Sequence, residues 1–164
     1  MLRALTQDLG PQSVILTTTM YAKELVQADR CSVFLVDNVN NTLYTVSTDT
    51  GKVFRIPKTK GIAGQCATGN ELISIKDAYQ DERFNPAPDK ASGYRTTSIL
   101  AVPVTSDDTV LGVIQLINKI EFDGEVEEKF GEQNFRVLSE MRFLAKIRVA
   151  ILDFCRVCRF FSKI

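Results

Sequence analysis

The stretch of sequence that decides the fold is SILAVPVTSDDTVLGVIQLIN, which runs from Ser98 to Asn118. It holds two apolar, β-branched runs, 98–104 and 110–118, joined by the polar turn Ser106-Asp107-Asp108. This pattern predicts an antiparallel hairpin. Successive positions in both runs are apolar, so both faces of these two strands are expected to be covered, as in the centre of a sheet.

Four further strands are predicted before this hairpin. The run CSVFLVD, residues 31–37, is rich in β-branched and aromatic residues, and the asparagines that follow it turn the chain into a partner strand over 43–48. Asp49-Thr50-Gly51 predicts another turn before a strand over 52–56, and a short apolar strand covers 72–75. Strands that arrive in hairpins favour a meander of antiparallel strands.

The helices are predicted from apolar residues three and four positions apart. One helix spans about 12–28, and the small-residue run GIAGQCATG, Gly61–Gly69, predicts a short helix with a glycine at its end. A long amphipathic helix spans 137–158. Residues 77–93 are polar and contain Pro86 and Pro88, so this segment is expected to be mostly loop and to act as a lid.

Together these elements predict one α+β domain over residues 1–164, with a core of about 12–154. Its six-stranded antiparallel sheet is flanked by helices, with the terminal helices on one face and the loop-rich segment on the other. The last helix is expected to lead into a further domain downstream.

The composition excludes several classes of protein. The chain has 164 residues, of which 45% are hydrophobic, so it is not intrinsically disordered. Twenty basic residues balance twenty acidic ones, and no dense basic block is present, which argues against a nucleic-acid partner. No apolar run is long enough to span a bilayer, so no membrane partner is expected.

Histidine is absent from the sequence, which excludes His-dependent nucleophilic catalysis and His-ligated metals. The four cysteines are Cys31, Cys66, Cys155 and Cys158; the last two form a lone CxxC with helical spacing. Buried or interfacial thiols in a reduced, cytoplasmic protein are the favoured interpretation, with a redox motif as the alternative. Neither catalytic residues nor a metal site nor a cofactor is predicted.

A candidate anion site lies at Gly61–Gly64, where a helix N-terminus would present backbone N–H groups. Polar side chains expected nearby could hydrogen-bond a sugar or a base: Ser32, Thr48, Asp49, Asp89, Ser92, Thr96, Thr97 and Gln115. Equally, a Gly-x-x-Gly often belongs to an ordinary turn. Gln115 interrupts an apolar strand and needs a partner, which could be protein, water or a ligand.

Four motifs in order then carry a family resemblance: CSVFLVD, GIAGQCATGNELISIKDAYQDERFN, DKASGYRTTSILAVPV and LGVIQLINK. They resemble the GAF domains of cyclic-nucleotide phosphodiesterases and their adenylyl cyclase relatives, over nearly the whole chain. The resemblance implies a six-stranded sheet between helices and a cyclic nucleotide buried between the sheet and the lid.

Site residues follow from the same resemblance. It implies that Ile62 and Ala63 present backbone N–H groups to the cyclic phosphate. Ser32, Thr48 and Asp49 would meet the base, Asp89, Ser92 and Thr96 would close over the ligand from the lid, and Gln115 would lie on the pocket floor. Thr48 stands where other members carry an aromatic residue against the base.

The family's NKFDE signature is only partly present. Asn118, Lys119 and Phe130 match it, whereas the expected Asp-Glu pair falls on Asn134 and Phe135. In the family the Lys–Asp contact is thought to brace the fold, and an asparagine can still accept a hydrogen bond from Lys119.

The functional hypothesis is a regulatory module that binds a cyclic nucleotide, cAMP ahead of cGMP, without converting it. The parent protein would be a 3',5'-cyclic-nucleotide phosphodiesterase, a hydrolase with its catalytic domain in the same chain, and the terminal helices would form a homodimer. One alternative is a GAF module that serves only dimerisation. A remote one is a cysteine-based methionine sulfoxide reductase.

Overall fold

The computed structural model describes residues 11–48, 54–120, 126–127 and 130. Its elements in chain order are α1 (Pro11–Leu25), β1 (Ala28–Asp37), β2 (Thr42–Thr48), β3 (Arg55–Pro57), α2 (Gly61–Gly69), β4 (Ile73–Ile75), a 3-10 helix (Ala78–Gln80), α3 (Ala87–Ser92), β5 (Ile99–Ser106), β6 (Thr109–Ile120) and β7 (Val126–Glu127). No helix in this part of the chain is long and apolar enough to cross a bilayer.

The strands form one antiparallel sheet in the order β3-β2-β1-β6-β5-β4, and the two-residue β7 pairs with the end of β6. The predicted α+β class and six-stranded antiparallel sheet are therefore confirmed. β1 and β6 lie at the centre of the sheet and pair over most of their length, from Ala28 opposite Lys119 to Leu35 opposite Gly112.

Each face of the sheet carries its own apolar cluster, because neighbouring residues of a strand point to opposite faces. On the α1 face, helix residues pack against alternate residues of the central strands: Ala22, Val26, Val33, Leu35, Ile114 and Leu116. On the α2 face, the cluster is Ile62, Ala63, Cys66, Phe34, Ile99 and Val113. Coverage of the central strands on both faces, expected from their sequence, is confirmed.

α1 ends at Leu25, three residues before the predicted end. The apolar Ala28 continues the helical spacing, but Gln27 has a left-handed backbone, with φ of 53°, which stops the helix. Ala28 then begins β1. The predicted helix over 137–158 lies outside the described residues, so of the two terminal helices only α1 is seen on its face of the sheet.

The lid, residues 77–93, was predicted to be mostly loop, and this was wrong. It contains the 3-10 helix and α3. The Asp77 side chain caps the 3-10 helix by accepting from the Tyr79 amide at 3.0 Å. α3 begins just after Pro86, has Pro88 in its first turn and is capped at its C-terminal end by Gly93. Prolines that suggested a loop are favourable in a first helical turn, where no amide hydrogen is needed.

Candidate functional site

Three of the predicted site residues lie in one row across the sheet. Ser32 in β1 is directly opposite Gln115 in β6 and, on its other side, opposite Thr48 in β2. Gln115 is in turn opposite Ala101 in β5. Ser32 shares its face with Phe34, so the Ser32–Gln115 pair lies on the α2 face near the middle of the sheet.

The Ser32–Gln115 pair is polar in otherwise apolar surroundings. Both residues are partly buried, and their row neighbour Ala101 is fully buried. Within residues 11–48 and 54–120, no side chain or backbone group hydrogen-bonds the Ser32 hydroxyl or the Gln115 amide. Because polar groups withdrawn from water normally find a partner, these two are free to serve a ligand or water.

α2 packs on the same face of the sheet. Ile62 and Ala63, in its first turn, are 4% and 2% exposed, so their side chains pack in the core and only their backbone groups could meet a ligand. Lys60, which precedes the helix, has an extended backbone and gives no side-chain cap. The N-terminal end of α2 therefore lacks the side-chain acceptor that commonly satisfies such amides.

The two glycines of this segment have different structural roles. Gly61 has φ of +72°, a conformation that favours glycine. A Cβ on Gly64 would come within 2.6 Å of the Lys58 carbonyl oxygen, so this position needs glycine for close packing of the preceding loop. The Thr68 hydroxyl also donates to the Lys58 and Gly64 carbonyls, at 3.3 Å and 2.9 Å. The turn interpretation of Gly-x-x-Gly thus has a physical basis beside the anion-site interpretation.

Of the three residues predicted to close over a ligand, Asp89 and Ser92 lie in the lid and Thr96 lies three residues after it; all three bond to protein groups nearby. The Asp89 carboxylate, 7% exposed, accepts from the Thr96 amide at 2.6 Å, the Thr96 hydroxyl at 2.9 Å and the Tyr79 hydroxyl at 3.2 Å. The Ser92 hydroxyl donates to the Pro88 carbonyl at 2.8 Å. Asp89 and Thr96 therefore join the lid to the segment that follows it, and their contact with a ligand stays a prediction.

Ala78 and Phe84 place the lid on the α2 face. Ala78 is fully buried in the cluster of that face, and Phe84 packs against it. The Ala78 amide also donates to the Thr97 carbonyl at 2.7 Å. The lid and the Ser32–Gln115 pair thus lie on the same face of the sheet. Asp49 lies outside the described residues.

Two aromatic residues of this region were missed from the sequence. Phe54 is 45% exposed, and its ring meets that of Phe34 edge to face at 5.9 Å. It supplies an exposed aromatic ring on the α2 face, whereas Thr48 offers none. Tyr79 packs on Phe84 and carries the Arg95 guanidinium 4.7 Å above its ring. Burial and the bond to Asp89 raise the Tyr79 pKa. No local pattern in the sequence marks either residue.

Among the described residues, Cys31 and Cys66 form no disulfide, and both are fully buried. Burial raises the pKa of Cys66 to about 12, so it is a protonated thiol at neutral pH. A protonated, inaccessible thiol is a poor nucleophile. Cys155 and Cys158 lie outside the described residues.

The three matching residues of the NKFDE signature are structural here. Asn118 and Lys119 are buried near the end of β6, and Phe130 is 2% exposed in the α1-face cluster. The Lys119 ammonium donates to the Gln27 side-chain oxygen at 2.8 Å and to the Ile120 carbonyl at 3.2 Å. Asn134 and Phe135 lie outside the described residues.

The family model of the GAF domain matches residues 10–142, so the chain belongs to the GAF family. A probable 3',5'-cyclic phosphodiesterase of Caenorhabditis elegans is 39% identical in an alignment of 132 positions that covers 71% of this chain and 18% of that protein. A dual 3',5'-cyclic-AMP and -GMP phosphodiesterase of Takifugu rubripes is 35% identical in an alignment of 153 positions that covers 84% of this chain and 16% of that protein. The chain therefore spans less than a fifth of either relative.

Solved structures share the fold at low sequence identity. The GAF domain of an Acinetobacter phosphoenolpyruvate-protein phosphotransferase has a TM-score of 0.76 at 18% identity, covering 96% of this chain and 92% of that one. A free methionine-R-sulfoxide reductase from Neisseria meningitidis has a TM-score of 0.72 at 18% identity, covering 94% and 86%. The same fold thus occurs with different functions.

Proposed function

We propose that this chain is a regulatory module that binds a 3',5'-cyclic nucleotide, cAMP ahead of cGMP, without converting it. It would act inside a larger cytoplasmic signalling protein whose catalytic domain is a cyclic-nucleotide phosphodiesterase. The two curated relatives support this through their similarity to most of the chain. The observation that carries the proposal is the Ser32–Gln115 pair, which shares the α2 face of the sheet with the lid and whose side-chain hydrogen-bonding groups are unused within the described residues.

The chemistry of the α2 face suits a nucleotide. The Ser32 hydroxyl and the Gln115 amide both donate and accept hydrogen bonds, so they can meet the edge of a purine or the ribose. The amides of Ile62 and Ala63 lie at a positive helix end, where a single negative charge is favoured. The exposed ring of Phe54 offers a surface on which a base could stack.

Calorimetric titration with cAMP and with cGMP tests the proposal. The wild-type chain is expected to bind, and Gln115→Leu is expected to weaken binding at least about tenfold, since it leaves polar ligand atoms without a partner. Leucine should not destabilise an apolar strand, so Gln115→Leu should have the same melting temperature as the wild type. Gln65→Leu, on the exposed side of α2, is the matched control and should bind like the wild type.

Three results would count against this function. The first is no heat and no melting shift at millimolar concentration of either nucleotide. The second is equal binding by wild type and Gln115→Leu. The third is equal weakening by Gln65→Leu, because it would show that the effect is not local to the sheet.

A module that serves only dimerisation is the second candidate. α1 turns three large apolar residues to solvent, with Met20 59%, Tyr21 63% and Leu25 42% exposed. These residues could pair with a second copy through the terminal helices. This candidate would be favoured if the chain elutes as a dimer in size-exclusion chromatography, if added nucleotide does not change the elution, and if Leu25→Glu abolishes the dimer.

A cysteine-based reductase is the least supported candidate. The likeness to the Neisseria reductase concerns the fold, at 18% identity. Cys31 and Cys66 are inaccessible, and the raised pKa of Cys66 removes its thiolate at neutral pH. The expected activity of this segment toward free methionine sulfoxide is nil.

A further inference from the structure

Tyr94 connects the end of the lid to the two central strands. It directly follows Gly93, the residue at which α3 ends with a left-handed backbone. Its hydroxyl donates to the Asp29 carboxylate at 2.6 Å and accepts from the Asn118 side-chain amide at 2.9 Å. The guanidinium of Arg30 lies 3.5 Å from the centre of its ring. Both the ring and the hydroxyl of Tyr94 therefore contact residues of the two central strands.

Asn118 also binds residues that follow Tyr94 in the chain. Its side-chain oxygen accepts from the Thr97 amide at 2.7 Å, and its amide group also donates to the Arg95 carbonyl at 2.9 Å. Asn118 lies buried in β6 with φ of 56°, a conformation that asparagine tolerates better than most residues. One buried side chain thus binds three residues of the segment that leaves the lid.

The partners of Tyr94 belong to the strands that carry the candidate site. Asp29 and Arg30 precede Ser32 in β1, and Asn118 follows Gln115 by three residues in β6. On the lid side, Asp89 in α3 is bound to Thr96 through the amide and the hydroxyl. The position of α3 is consequently tied to segment 94–97, which is held by Asn118 and Asp29.

We propose that Tyr94 is a positioning residue whose hydroxyl holds the lid closed over the Ser32–Gln115 pair. The inference rests on the proposed function only for its effect on ligand binding; the attachment itself belongs to the unliganded domain. Without the hydroxyl, the carboxylate of Asp29 and one amide hydrogen of Asn118 lose their partner. Segment 94–97 is then less firmly held, and α3 opens more often.

The variant Tyr94→Phe tests the proposal because it removes one oxygen and keeps the ring beneath Arg30. The first measurement is amide hydrogen exchange without ligand. The Lys90 and Gly93 amides, which bond within α3 to Pro86 and Asp89, are expected to exchange about tenfold faster. The amides shared by β1 and β6 are expected to keep their wild-type rates. A role in general stability would accelerate both sets together.

The second measurement is the dissociation rate of cAMP or cGMP, whichever the wild type binds. Tyr94→Phe is expected to raise that rate about tenfold and to leave the association rate within about twofold, because the closed lid acts after encounter. Tyr21→Phe on α1 is the matched control: it removes an exposed tyrosine hydroxyl and should change neither rate.

The outcomes separate this inference from the proposed function. If no nucleotide binds the wild type, the proposed function fails, while the exchange measurement still decides the role of Tyr94. Faster exchange confined to the lid supports that role. Unchanged exchange in α3, or an equal increase throughout the sheet, overturns it. Should Tyr94→Phe fail to fold, Asp29→Ala removes the acceptor of the same hydroxyl and takes its place, with the same expected and contrary results.

Discussion

Asp89 and Thr96 are joined by two hydrogen bonds to one carboxylate: the Thr96 amide donates at 2.6 Å and its hydroxyl at 2.9 Å. Both residues are buried, with exposed fractions of 7% and 2%. The C-terminal part of the lid is therefore fixed to the segment that follows it before any ligand arrives. A cyclic nucleotide would meet a largely prearranged surface, which lowers the ordering cost of binding.

Replacing Asp89 by alanine should destabilise the domain by about 2–4 kcal/mol, because bonds to a carboxylate are strong and the buried Thr96 donors would be left unpaired. Thr96→Ser keeps both donors and should cost under about 1 kcal/mol, the rough equivalent of a lost methyl group. Urea unfolding measures both. Equal losses in the two variants would contradict the role given to the carboxylate.

Gly64→Ala should destabilise the domain by about 1–3 kcal/mol, since the new methyl group would overlap a backbone oxygen that cannot easily move. The Lys58 carbonyl lies 2.6 Å from the added Cβ. Gly69, in the same helix, has no atom within 4 Å of such a Cβ. Gly69→Ala is therefore the control, and it should be neutral or up to about 1 kcal/mol more stable. A harmless Gly64→Ala would show that the loop is free to shift.

The buried thiol of Cys66 should make stability fall at alkaline pH. Its pKa is raised from 9.0 to about 12 by burial, so above pH 9 the unfolded chain loses a proton that the folded chain keeps. Proton loss favours the unfolded state there, at about 1 kcal/mol by pH 10. Urea unfolding at pH 8 and pH 10 measures it. Cys66→Ala should show a smaller loss between the two pH values; an identical loss would assign the effect to other groups.

Asp37 should make stability fall at acid pH. Hydrogen bonds from the Asn40 side chain and amide, and then from Arg55, lower its pKa below the ordinary 3.8. Its stabilisation is complete above pH 3.8 and is lost as the pH falls through the lowered folded value.

Asp37→Asn should remove about 1 kcal/mol at pH 7 and flatten the acid limb of a plot of unfolding free energy against pH. The exposed Glu71 provides the comparison through Glu71→Gln. If both variants change the acid limb alike, overall charge and not the Asn40 contact is responsible.

The secondary structure was predicted most accurately from the sequence where one local pattern determines it. The bounds of α2 were predicted at Gly61 and Gly69 and are observed there. The central strands were found because β-branched runs and the turn at Asp107 and Asp108 agree with one hairpin. The lid was mistaken for loop because proline is compatible with both a loop and a helix start.

The candidate site could be predicted only in part, since its residues meet through the register of the sheet. Gln115 was named as a polar interruption of an apolar strand, and Ser32 as a polar side chain that could bind a ligand, but their direct opposition follows from how β1 and β6 align. The hydrogen bond between Tyr94 and Asp29 joins residues 65 positions apart, and hydrophobic periodicity says nothing about such pairs. Side-chain pairing between distant segments needs the folded structure.

In the part of the chain that the structure describes, the two outermost strands, β3 and β4, contain three residues each. The edge strand of a sheet has unpaired backbone N–H and C=O groups with which an extended segment of another molecule can pair. Long, flat edge strands are the usual starting points of fibrillar aggregation. An edge of three residues can form only a few backbone hydrogen bonds with another chain, and Pro57 at the end of β3 has no amide hydrogen to donate. In concentrated solutions of the domain, fibrillar aggregation should consequently not start at either of these two edge strands.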